Sequence, residues 1–192
     1  MADNSISEQK KTARAAARKA AAGISESEWR ACGEAMAARL TGEDIWKSAQ
    51  TVFCFISMPN EPDTSSMVED ALNRGKRLCV PRVIGRGIME AVVLRSLSEL
   101  EPGAMGVYEP RADVTQTVDF SDIDLAVVPC LRACVNGKRL GRGGGFYDRF
   151  LESFGGTSVL LCPERLVVDY LPTEPHDIGC GILLTEKRLV RL

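Results

Sequence analysis

Thr51-Val52-Phe53-Cys54-Phe55-Ile56 is the stretch that decides the fold class. From Thr51 the run is short, continuous and apolar, with no alternation of wet and dry positions, which is the pattern of a strand buried on both faces. Strands of that kind occupy the middle of a parallel sheet covered by helices on each side. Upstream, residues 5–22 are rich in Ala, Lys and Arg, a composition that favours helix but leaves an isolated helix marginal in water, so this one has to dock or fray. Ser25 with Glu28 forms a capping box that opens a second helix to about Leu40, with Gly23 as the break between the two. Downstream, Asp63 or Thr64 caps a helix through Asn73 that Gly75 ends, and Leu78-Cys79-Val80 start a strand expected to stop before Pro81. A strand around Met89–Leu94, a short helix after Ser96 and a third buried strand at Leu125–Val128 follow. A helix from about Phe146 to Phe154 and strands at Ser158–Leu161 and near Ile182–Leu184 complete the alternation of an α/β sheet.

Composition narrows the function classes. The chain has 192 residues, 45% hydrophobic and 26% charged, so one domain spanning 1–192 with an ordinary core is expected. Lys and Arg number 24 against 26 Asp and Glu, a net charge of -2 that argues against a general nucleic-acid binder. No segment approaches the ~18 consecutive apolar residues of a membrane span, and the first thirty residues lack a signal-peptide core, so a cytoplasmic protein is expected. The seven cysteines are odd in number and include no CxxC pair, which points to core hydrophobes rather than a zinc ribbon or redox motif. The single histidine, His176, leaves no HExxH site and has no GxSxG elbow to serve.

The chemistry-bearing segment is Asn136-Gly137-Lys138-Arg139-Leu140-Gly141-Arg142-Gly143-Gly144-Gly145-Phe146-Tyr147-Asp148-Arg149, between a predicted strand and a predicted helix. Its glycines let backbone N–H groups turn toward one point, and the following helix N-terminus adds partial positive charge. Arg139 and Arg142 flank the turn with forks suited to phosphate oxygens. No Gly-Lys-Ser/Thr follows, and the glycines read GxGGG rather than GxGxxG, so neither standard nucleotide motif fits. A plain surface connection is the other reading of such a composition.

The string Arg139 to Asp148 resembles the nucleotide loop of the 5-formyltetrahydrofolate cyclo-ligase family. The resemblance runs over nearly the whole chain and in the family's order: Lys10-x-x-x-Arg14, Ser57-Met58-Pro59-Asn60-Glu61-Pro62, Pro81-Arg82, Gly106-Val107-Tyr108-Glu109-Pro110 and Pro175-His176-Asp177. It implies a Rossmann-like, three-layer α/β/α sandwich with a mainly parallel sheet. It also implies ATP- and Mg²⁺-dependent conversion of 5-formyltetrahydrofolate to 5,10-methenyltetrahydrofolate, ADP and phosphate, by phosphorylation of the formyl oxygen and attack by N10. ATP contacts are implied for Lys10, Arg14, Arg139, Leu140, Gly141, Arg142, Gly143, Gly144, Gly145, Phe146 and Tyr147, with Arg18 a weaker extension of the basic stripe. Folate contacts are implied for Ile56, Glu61 and Arg142 through Phe146, a catalytic role for Arg142 and Tyr147, and a magnesium role for Asp148. The expected partners are small molecules only, and the expected state is a monomer.

Two positions depart from the pattern: Cys134 and Gly181 stand where the family usually has Asp. The aspartate at the second position is implied as a magnesium ligand, and glycine supplies neither charge nor coordinating oxygen. Asp177 or Asp169 are the carboxylates available to compensate. Three readings therefore stay open at this level: an active cyclo-ligase, a non-catalytic nucleotide- or folate-binding member with a degraded magnesium site, and a different activity on the same fold.

Overall fold

The computed structural model describes residues 5–103 and 107–192, so Gly106 lies outside the described residues. Helices are α1 (Ile6–Ala21), α2 (Glu26–Gly42), α3 (Asp44–Ser48), α4 (Ser65–Asn73) and α5 (Phe146–Ser153). Strands are β1 (Thr51–Cys54), β2 (Arg77–Gly85), β3 (Ile88–Leu94), β4 (Leu100–Pro102), β5 (Tyr108–Pro110), β6 (Thr117–Val118) and β7 (Leu125–Val128). They continue with β8 (Arg132–Cys134), β9 (Arg139–Leu140), β10 (Thr157–Leu161), β11 (Val167–Val168), β12 (Ile182–Leu184) and β13 (Leu189–Arg191).

The main sheet has eight strands in the order β13-β12-β10-β7-β1-β2-β3-β6. Its middle, from β12 to β2, is parallel, and β13, β3 and β6 join antiparallel at the two flanks. The quoted apolar run supplies β1, buried at every position and paired with parallel strands on both sides. Its alternate residues feed two cores. Val52 and Cys54 pack with Met36, Leu40, Trp46 and Met67 of α2, α3 and α4. Phe53 faces the other way, onto Phe150 of α5. Helices thus cover both faces, giving the three layers expected.

Several local signals act as read. Ser25 and Glu28 make both halves of the capping box. The cap expected at α4 is not made: Thr64 is the N-cap residue but its hydroxyl turns away to the Phe55 carbonyl, and the Asp63 carboxylate, one position earlier, accepts from the Ser65 N–H at 2.9 Å as an Asx turn. One strand limit needs correction: β2 does not stop before Pro81 but runs through it to Gly85, paired with β3. The β1 register ends at Cys79, so Pro81 lies where β2 has no partner on that side and its missing N–H costs no ladder bond there. The cysteine reading also needs qualifying, because Cys32 and Cys130 are only half-buried.

Gly33 of α2 has a positional reason. A Cβ there would lie 2.3 Å from the Asp63 carbonyl oxygen, so only glycine lets the Ser57–Asp63 loop press against the helix. That loop carries Glu61.

Candidate active site

Residues that follow β1 and β7 meet the glycine loop and α1 at the C-terminal edge of the parallel strands, around a cavity of about 370 Å³. Its walls include Lys10, Arg14, Glu61, Pro129, Cys130, the whole stretch from Arg139 to Asp148, Glu174, His176 and Asp177. The loop geometry depends on Gly143 and Gly145, with φ of 102° and 69°, values that a side chain would strain. Gly145 is also the N-cap of α5 and offers no side chain to the first-turn N–H groups.

Three cations, paired with four carboxylates, set the electrostatics. Arg142 donates to Glu61 at 2.8 Å, with Arg142 half-exposed and Glu61 buried. The Glu61 carboxylate also accepts from the Met58 N–H at 3.0 Å, which fixes it at the mouth of the loop. Arg139 is buried and committed: it donates to Asp148 at 2.9 Å and to the Ile178 carbonyl at 2.5 Å. In this state its guanidinium aligns Asp148 rather than pointing freely at the cavity. Lys10 donates to Glu174 at 2.7 Å and to Asp177 at 2.8 Å, tying α1 to the 174–177 loop. Arg14 adds a second tie, donating to the Gly141 carbonyl at 3.0 Å. Docking of the basic helix is therefore achieved through the very residues that line the cavity.

The shifts follow from those pairs. Burial alone lowers the Lys10 pKa, but hydrogen bonds and charge from Asp177 and Glu174 together leave it above the ordinary lysine value. For Asp177 burial acts upward, yet the Lys10 ammonium and the Glu174 N–H win and hold it below the usual aspartate value. Burial pushes the Tyr147 phenol well above its ordinary range, with the Glu61 carboxylate adding to the effect, so its hydroxyl stays a proton donor at neutral pH.

A stability prediction follows. The Asp177 contribution is fully present above the unfolded carboxyl pKa and is lost as pH falls through its lower folded value. The Lys10 contribution persists until pH rises through its raised folded value. Asp177→Asn should therefore cost about 1–2 kcal/mol at neutral pH, discounted because Glu174 still holds the ammonium, and should flatten the acid limb of Tm against pH. An acid limb identical to that of the parent would contradict the pairing.

Of the residues singled out in the sequence, Lys10, Arg14, Glu61 and Arg139 to Asp148 share one cavity. Ile56 does not line it; it packs half-buried against the core on the α2 side. Arg18 is exposed and away from the cavity wall. Sequence reasoning missed Glu174, whose contact with Lys10 spans 164 positions and leaves no local signal. It also missed Arg149, which donates to Gly87 at 2.7 Å and to Gly144 at 2.5 Å, stitching the β2–β3 turn to the glycine loop.

Fold and cavity together define an α/β protein with a glycine-lined cavity, in which four basic side chains meet four carboxylates, at the C-terminal edge of a parallel sheet, the usual ligand position in open α/β folds. Sequence comparison is specific about which one. The model of the 5-formyltetrahydrofolate cyclo-ligase family matches residues 6–186, and the chain belongs to that family of ligases. It is 31% identical over 166 residues to the 5-formyltetrahydrofolate cyclo-ligase of Mycolicibacterium smegmatis, covering 81% of this chain and 84% of the relative. The Escherichia coli cyclo-ligase is 30% identical over 146 residues, 73% and 80% of the two chains. The solution structure of Aquifex aeolicus 5,10-methenyltetrahydrofolate synthetase superposes with a TM-score of 0.81 at 28% identity, over 97% of this chain and 92% of that one. No described helix is long and apolar enough to cross a membrane.

Proposed function

We propose that this chain uses ATP and Mg²⁺ to convert 5-formyltetrahydrofolate into 5,10-methenyltetrahydrofolate, ADP and phosphate, as a monomeric single-domain enzyme of the cytoplasm acting on small molecules. The observation that carries the reading is the 2.8 Å pair between Arg142 and Glu61, which brings the anion cradle and the folate-directed carboxylate into contact. A formyl amide is a poor electrophile. Transfer of the γ-phosphoryl group to the formyl oxygen turns that oxygen into a leaving group; N10 then attacks the carbon and phosphate departs. Such a sequence demands positioning and charge neutralisation more than acid–base chemistry.

The residues supply those demands. Loop amides from Gly141 to Gly145 and the N-terminus of α5 receive the phosphates, with Arg14 held against the loop by its bond to the Gly141 carbonyl and Lys10 lining the same cavity. When both substrates enter, Arg142 exchanges Glu61 for phosphate oxygens, and Glu61 accepts from the pterin's ring N–H and amino donors. The internal pair thus holds both groups in place until their ligands arrive. Tyr147, protonated, adds a hydrogen-bond donor beside Glu61. Asp148, aligned by Arg139, offers the hard oxygen that Mg²⁺ prefers next to phosphates, and Glu174 and Asp177 line the same cavity, so the donor set fits that ion. When bound, the ion would neutralise charge on the phosphates. The relatives named above are enzymes, which favours this reading over a binding module.

Formyl-¹⁸O substrate tests the chemistry: label should appear in inorganic phosphate, and label released to water would contradict transfer to the formyl oxygen. Gly181 bears on the metal. A Cβ there meets nothing nearer than the Ser158 carbonyl at 4.0 Å, and the adjacent Cys180 feels the charges of both Arg139 and Asp148. Gly181→Asp should lower the magnesium concentration for half-maximal rate about fivefold, the equivalent of about 1 kcal/mol at a partly exposed site. An unchanged magnesium titration would mean that Gly181 does not mark the missing ligand.

A further inference from the structure

Strand β7 runs beside β10 in register from Leu125 with Thr157 to Val128 with Leu160. Two residues beyond the last pair, on both strands' continuations, stands a cysteine: Cys130 and Cys162. Continuing the register by two residues sets them side by side on the α5 face, where Cys162 belongs to the core and Cys130 packs against it, and the Cys130 thiol donates to the carbonyl of Leu161, the residue before Cys162, at 3.4 Å. Cys162 is buried against the α5-side core. Cys130 is half-buried and forms part of the wall of the 370 Å³ cavity that also holds Arg139 and Asp148. Both are free thiols, and the proposed reaction uses neither.

What such a pair can do follows from its surroundings. The Cys162 thiol and burial together hold Cys130 well above the ordinary thiol range, so it stays protonated and is a weak nucleophile toward alkylating reagents. Two thiols side by side can still condense with a single soft trivalent centre, which needs no oxidant and bonds to both sulfurs at once.

We propose that Cys130 and Cys162 form a vicinal dithiol site for trivalent arsenicals, in which one arsenic bridges both sulfurs at the wall of the nucleotide cavity and blocks it. The step balances without oxidation or reduction: R–As=O and two thiols give R–As(SR′)₂ and water. Two S–H bonds break, two As–S bonds form, and the oxygen leaves with both protons. Formation of the adduct is independent of the cyclo-ligase reading; only its competition with nucleotide rests on that reading.

The test uses the full chain and phenylarsine oxide. Intact-mass analysis at equimolar reagent should show one adduct, and peptide mapping should find arsenic joining the Cys130 and Cys162 peptides. The adduct should resist excess monothiol and be released by a dithiol. Cys130→Ser and Cys162→Ser should each weaken retention about 100-fold, because the second bond no longer forms as an intramolecular event, while Cys32→Ser leaves it unchanged. If Cys162→Ser does not fold, the parent peptide map decides alone. No adduct on folded protein, or arsenic bridging any other cysteine pair, overturns the proposal. Mg-ATP binding to unmodified protein is measured first by calorimetry. If nucleotide binds and slows adduct formation, the blocking claim stands; if it binds and leaves the rate unchanged, that claim falls. If no nucleotide binds, the functional reading fails and the dithiol is judged on the bridged adduct.

Discussion

Arg142→Ala should lower kcat/KM by roughly two to three orders of magnitude, about 3–4 kcal/mol of barrier, while costing at most about 1 kcal/mol of stability. The asymmetry comes from where the side chain sits. Its side chain is 46% exposed and belongs to a loop, so its removal opens no core cavity. Glu61 keeps the bond from the Met58 N–H on Oε2, and the Oε1 that Arg142 gives up belongs to a residue lining the open cavity, where water can reach it. In the proposed reaction, by contrast, the guanidinium stands where charge moves during phosphoryl transfer, and it is half-exposed, whereas Arg139 is buried and held by Asp148 and the Ile178 carbonyl. Arg142→Lys should fall between the two, since the charge remains but the planar fork does not. Steady-state kinetics paired with thermal melts checks this. A collapsed melt with unchanged turnover per folded molecule would remove Arg142 from the machinery.

Phe150→Ala should be the most damaging of the substitutions considered, at about 3–5 kcal/mol, with a Tm drop of roughly 10 °C or more. Phe150 is fully buried and stands at the centre of an aromatic cluster. Its ring stacks on Phe53 of β1 at 4.7 Å and on Phe154 at 5.1 Å, and meets Phe120 edge-on at 4.7 Å. Truncation would leave a void that rigid rings cannot close. The same contacts fix α5 against the sheet, and α5 presents its N-terminus to the cavity. Weaker nucleotide binding in whatever protein remains folded should therefore accompany the lost stability. Urea unfolding measures the first effect, with the midpoint falling at an unchanged slope. A loss below about 1 kcal/mol would mean that the cluster is not what anchors the helix.

The sheet was legible because its signals are local. The apolar run from Thr51 carries β1, although the strand itself ends at Cys54, the Ser25–Glu28 box carries the start of α2, and four glycines in five positions carry the cradle. Pro81 misled because its meaning depends on a neighbour: it ends a central strand, but past Cys79 β2 has no partner on one side. The small sheet β11-β8-β9 was missed for a similar reason, its strands being two or three residues long with no period to read. In the site, residue types were legible and commitments were not. Arg139 reads as a phosphate clamp until Asp148 and the Ile178 carbonyl are seen to hold it. Lys10 reads as a free basic face until Glu174 and Asp177 fold back onto it from the far end of the chain.

The most direct measurement gives purified protein Mg-ATP and 5-formyltetrahydrofolate and follows the methenyl chromophore together with ADP. Absorbance growth that requires ATP, with one ADP for each methenyl group formed, is the expected result. No growth from demonstrably folded protein at raised magnesium would contradict the cyclo-ligase reading.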